Sequence, residues 1–100
     1  MNTPQKGLTE LQEQIIDALA NDYESLEQIS EILDSSGKLS QVKTALWTLI
    51  QEGYVACYVS TKMEMKPAAY PERRKLDAYW FALTQGGEQL LSVLNQEARD

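Results

Sequence analysis

The stretch Ser25 to Val55, SLEQISEILDSSGKLSQVKTALWTLIQEGYV, decides the fold. Ser25 and Gln28 have the spacing of a capping box, and Leu26, Ile29, Ile32 and Leu33 then recur at helical intervals until Ser35, Ser36 and Gly37 break the pattern. This predicts a short helix over about 25–34. Ser40 is placed to cap a longer helix over about 40–52, in which Val42, Ala45, Leu46, Leu49 and Ile50 form one apolar stripe. Gly53 supplies the left-handed residue that ends it. The segment therefore reads as two amphipathic helices joined by a glycine-containing turn and followed by extended chain.

Upstream, Thr9 and Gln12 repeat the capping spacing, and Leu8, Leu11, Ile15, Ile16 and Leu19 mark a first helix over about 9–20. Downstream, Tyr54 to Ser60 (YVACYVS) and Ala78 to Leu83 (AYWFAL) are rich in β-branched and aromatic residues and are too short for helices, so they read as strands. Between them lies KMEMKPAAYPERRK, residues 62–75. Pro67 and Pro71 cannot donate to a sheet ladder, which implies a hairpin with a long, partly irregular tip. Thr84 caps a short last helix carrying Leu90, Leu91, Val93 and Leu94. The predicted order is helix, helix, helix, strand, long loop, strand, helix, an α+β arrangement in a single domain over residues 1–100.

Composition narrows the function. With 43% hydrophobic and 24% charged residues the chain matches globular proteins. It has no apolar run near the ~20 residues of a membrane span, and its first residues, MNTPQKGLTE, lack the pattern of a secretion signal, so a cytoplasmic protein is expected. Cys57 is the only cysteine and histidine is absent, so neither a disulfide within the chain nor the usual zinc ligand sets are available, and no metal or cofactor is expected.

The net charge of −6 is unevenly spread. Residues 1–37 carry one base against eight acids, a net of −7; residues 38–75 carry seven bases against three acids, a net of +4; the remainder carries one base against four acids, a net of −3. Local field, not the sum, decides what a surface attracts.

The stretch quoted above, with its Gly-aromatic-Val exit, resembles the helix-turn-helix of winged-helix proteins. YWFALTQGGEQLL similarly resembles the last wing strand and following helix of the MarR and PadR types of transcriptional regulator. The resemblance implies a winged helix-turn-helix fold, with the helix-turn-helix over about 25–52 and the wing over about 54–83, and a small regulator of transcription that binds duplex DNA as a homodimer paired through its first or last helix. Three features depart from the family: the turn DSSGK is slightly long, the chain is acidic, and the last helix leaves no room for long dimerisation arms.

Under this resemblance the third helix lies in the major groove, where each base pair displays its own donor and acceptor pattern. The residues opposite its apolar stripe are Ser40, Gln41, Lys43, Thr44, Trp47 and Thr48. Gln pairs bidentately with adenine, Ser and Thr reach bases or phosphates, and Lys meets guanine or phosphate. The wing would grip the phosphate backbone through Lys62, Lys66, Arg73, Arg74 and Lys75, with Glu64 and Glu72 partly cancelling that charge. Every soluble helix has a polar face and every long loop has charges, so these assignments depend on the helix-turn-helix context.

Two placements are open for Trp47, an exposed anchor for a partner or a side chain folded back on a wing strand. The carboxylates Glu10, Glu13 and Asp17, and Glu24, Glu27 and Glu31, follow helical spacing and read as solvated faces, not as an acid pair for catalysis. Cys57 shares strand parity with Val55 and Val59 and reads as a packing residue. No enzymatic activity is expected. The acidic charge keeps a second class open: a winged-helix module that binds another protein and has little DNA affinity.

Overall fold

The computed structural model describes residues 8–20, 22–33 and 39–99. Helix α1 (Glu10–Ala18) and helix α2 (Leu26–Ile32) each begin with a full capping box. The Thr9 hydroxyl accepts the Gln12 N–H while the Gln12 amide oxygen accepts the Thr9 N–H, and Ser25 and Gln28 do the same. Four otherwise unpaired backbone donors are satisfied in this way, which fixes where both helices start. Between them, Glu24–Ser25 forms a two-residue strand, β1.

Helix α3 runs over Leu39–Gln51. It begins one residue before the expected position, so Ser40 lies inside the first turn and is not the cap. The turn DSSGK, residues 34–38, falls outside the described residues, as does the predicted end of the second helix at 34. At the other end, Gly53 has φ +87°, the Tyr54 N–H donates to the Leu49 carbonyl and the Gly53 N–H to the Ile50 carbonyl. This is a Schellman motif, and it turns the chain sharply into strand β2, Val55–Ser60.

The segment after β2 differs from the sequence reading. The hairpin is tight: β2 pairs antiparallel with an unexpected strand β3 (Met65–Pro67), with Thr61 to Glu64 as the turn. The Thr61 hydroxyl donates to the Glu64 carbonyl and accepts the N–H groups of Met63 and Glu64, so the tip is ordered. Pro67 is accommodated because β3 is an edge strand, where a missing donor breaks no ladder. The chain then forms a 3-10 helix over Arg73–Ala78, and β4 covers only Trp80–Leu83. Ala78 is thus not in the strand. Leu76, 1% exposed, pulls this turn into the core against α2, and the Tyr79 hydroxyl accepts the Glu72 N–H at 3.0 Å.

The sheet is antiparallel in the order β1-β4-β2-β3, with Cys57 opposite Phe81 and Ser25 opposite Trp80. The core lies between this sheet and the helices, and its fully buried side chains are Phe81, Ile15, Ile16, Ile29, Leu46, Leu49, Leu76 and Val42. Val55 and Cys57 are buried as parity requires, but Val59 is 39% exposed, because the β4 ladder stops at the Tyr58–Trp80 pair. Helix α4 (Gln85–Arg99) starts at Thr84, whose hydroxyl accepts the Gly87 N–H at 3.1 Å and donates to the Gly53 carbonyl. With 15 residues it is the longest described helix, not a short one. Trp47 packs, half-buried, against the core. None of the helices among the described residues is long and apolar enough to cross a membrane.

Candidate nucleic-acid interface

Helix α3 buries Val42, Ala45, Leu46 and Leu49. At 100° per residue the opposite side is a spine of Ser40, Thr44, Trp47 and Gln51, flanked by Lys43 on one side and by Gln41 and Thr48 on the other. Ser40, Gln41 and Thr44 are exposed, while Lys43, Trp47 and Thr48 are half-buried. Two hydroxyls are turned along the helix: Thr44 donates to the Ser40 carbonyl at 3.1 Å and Thr48 to the Thr44 carbonyl at 3.0 Å. Each keeps acceptor capacity on its outer side.

The Gln41 and Thr48 flank borders α1 across an open groove of about 560 Å³, whose lining includes Thr9, Gln12, Ser40 and Thr44. No described residue lining this groove is charged. Helix α1 turns its acids elsewhere: Glu10, Glu13 and Asp17 line a separate hollow with Leu91 and Leu94 of α4. The charge asymmetry of the sequence is therefore also an asymmetry between the two flanks of α1.

The five cations of the predicted wing do not form one patch. Lys62 is in the β2–β3 turn beside Met63, which is 91% exposed, and Lys66 is exposed on the edge strand β3. Arg73, Arg74 and Lys75 are not at the hairpin tip but in the 3-10 helix, next to α2. Glu72 binds two of these three: its carboxylate lies 3.1 Å from the Arg74 Nε and 3.1 Å from the Lys75 Nζ. The Lys75 hydrogen bond and charge, with Arg74 adding to them, hold the Glu72 carboxyl below its ordinary range, and the same contact raises the Lys75 ammonium.

Arg73 behaves differently. Its guanidinium donates to the Thr44 hydroxyl of α3 at 3.0 Å, joining residues 29 apart in sequence. It has no carboxylate at ion-pair distance among the described residues. Thr44 thus accepts from Arg73 while donating to Ser40, which fixes the direction of its lone pairs. Sequence reasoning placed both residues in a binding surface but not in contact, because no local pattern connects positions so far apart. The exposed apolar residues Met63 and Tyr70, at 91% and 89%, were not singled out either, since isolated apolar residues in a polar loop carry no periodic signal.

No family model, curated protein or solved structure matches this chain.

Proposed function

We propose that this chain is a winged helix-turn-helix protein that binds duplex DNA as a small transcriptional regulator, with α3 in the major groove and the β2–β3 hairpin on the phosphate backbone. The fold reading is supported by element order and by the sheet. A short strand between the first two helices pairs with the strand that returns from the wing, and this strand pairs in turn with the one leaving α3. The observation that carries the function is the contact from Arg73 to Thr44, which adds a cation from the wing region to the outward face of α3. A recognition helix needs such a face of polar groups with free hydrogen-bonding capacity. In this reading the protein is cytoplasmic, has no enzymatic activity, and pairs as a homodimer through α1 or α4 to match a two-fold operator.

The test is fluorescence anisotropy of a labelled mixed-sequence duplex titrated at rising salt, beside a variant with Lys62 and Lys66 changed to Ala. Binding that weakens linearly in log salt, with a slope shallower by about 1–2 in the variant, is the expected result. Absence of binding even at 20–50 mM salt, roughly the range in which sequence-independent affinity is strongest, would overturn it. The second reading, a protein-binding module, is favoured by the acid-lined hollow between α1 and α4 and by the exposure of Met63 and Tyr70. A stoichiometric protein complex together with absent DNA affinity would establish it.

A further inference from the structure

We propose that Arg73 is a base-reading residue that recognises guanine from the outward face of α3, and that Thr44 is the positioning residue that aims it. The inference rests on the DNA-binding reading above and reassigns Arg73 within it, from a grip on phosphate to a determinant of sequence preference. Three observations carry it. Arg73, Arg74 and Lys75 are consecutive, yet Glu72 occupies Arg74 and Lys75 and leaves Arg73 without a carboxylate partner among the described residues. The Arg73 guanidinium sits on the Thr44 hydroxyl, on the spine of the helix opposite the core, instead of at the hairpin tip. Its base is held firm, because Leu76 is buried and the Glu72 N–H is bonded to the Tyr79 hydroxyl.

The chemistry follows from the guanidinium fork. Arg has five donors in fixed geometry, and only one terminal nitrogen is engaged by Thr44. The remaining donors suit the O6 and N7 acceptors that guanine displays in the major groove, the commonest specific contact in such complexes. A phosphate grip needs charge alone, which Lys supplies as well as Arg; a bidentate base contact needs the fork. Held side chains discriminate better than free ones, since less rotamer freedom is lost on binding.

The experiment is selection of bound duplexes from a randomised library by the full chain, followed by titration of the winning duplex and of versions with each guanine replaced. Arg73→Lys, Arg73→Ala and Thr44→Val are run in parallel, each first checked for an unchanged melting transition by circular dichroism. The wild type should enrich a guanine at one fixed position of each half-site, with a loss of about 10–100-fold when it is replaced. Arg73→Lys should lose that preference but keep the salt slope, and Thr44→Val should weaken the preference, lowering affinity for the winning duplex more than affinity for mixed-sequence DNA. If Arg73→Lys keeps the preference, or if Arg73→Ala weakens all sequences equally and lowers the salt slope by about 1, Arg73 contacts phosphate and the inference fails while the DNA reading stands. Binding without enrichment of any sequence overturns it as well. Failure of the wild type to bind any duplex at low salt would instead remove the DNA reading itself.

Discussion

Cys57 illustrates how much of one residue's behaviour follows from its place in the sheet. It is 3% exposed, opposite Phe81, and burial pushes its thiol up to about 11 from an ordinary 9.0. The neutral thiol fits an apolar core and the thiolate does not. A pKa raised by folding means that the stabilisation is complete below about pH 9 and is lost as pH rises towards 11. Urea midpoints followed by circular dichroism from pH 8 to 11 should therefore fall, with a contribution from this group of up to about 2–3 kcal/mol. Cys57→Val, which cannot ionise, should show a flatter profile. Equal slopes in the two chains would mean that the thiolate is accommodated by local opening.

At the scale of elements, α4 approaches the start of β2 closely at Gly87. A Cβ on Gly87 would overlap the Tyr54 carbonyl oxygen and press on Leu83, whereas one on Gly86 meets only ordinary contacts at 3.7 Å or more. Gly87→Ala should destabilise the fold by about 1–3 kcal/mol through forced separation of α4 from the start of β2. Gly86→Ala should be neutral or stabilising by about 0.5–1 kcal/mol, since it only reduces the freedom of the unfolded chain. Thermal denaturation of both variants checks this, and a Gly87→Ala midpoint equal to wild type would show that the helix can shift without loss. The elements with strong periodicity, α1 to α4, and the caps at Thr9, Ser25 and Thr84 were legible in the sequence because their signals are local. Strand β1 was hidden inside a capping motif, β3 behind Pro67, and the 3-10 helix behind the charges around Leu76. These elements are too short to carry a period, and their existence depends on the sheet and core that receive them. The candidate surface was legible as a set of residues, but its geometry was not: α3 and the Arg73 segment meet only through tertiary packing.

Over the whole molecule, the acidic balance of −6 and a DNA-binding role are compatible if the acids lie away from the contact face. Two groups of acids are differently placed in this respect. Glu10, Glu13 and Asp17 line the α1–α4 hollow, while Glu72 directly occupies two cations of the 3-10 helix next to α2, adjoining Arg73. Neutralising the first group, by Glu10→Gln, Glu13→Gln and Asp17→Asn together, relieves only a long-range repulsion. Its gain in affinity should appear at low salt and vanish near 0.1–0.15 M, where the screening length is roughly 8–10 Å. Glu72→Gln acts at contact range and should free Arg74 and Lys75 for phosphates, raising low-salt affinity several-fold and steepening the dependence of log affinity on log salt by about 1–2. Because the Glu72 carboxyl is held below its ordinary 4.5, protonation cannot mimic this substitution at neutral pH, and the comparison is clean between pH 6 and 8, roughly the range where neither state titrates. Anisotropy titrations of the two variants on the same duplex decide the orientation of the protein. A steeper slope in the α1 variant with none in Glu72→Gln would place DNA on the α1–α4 face, and α3 would then not be the reader.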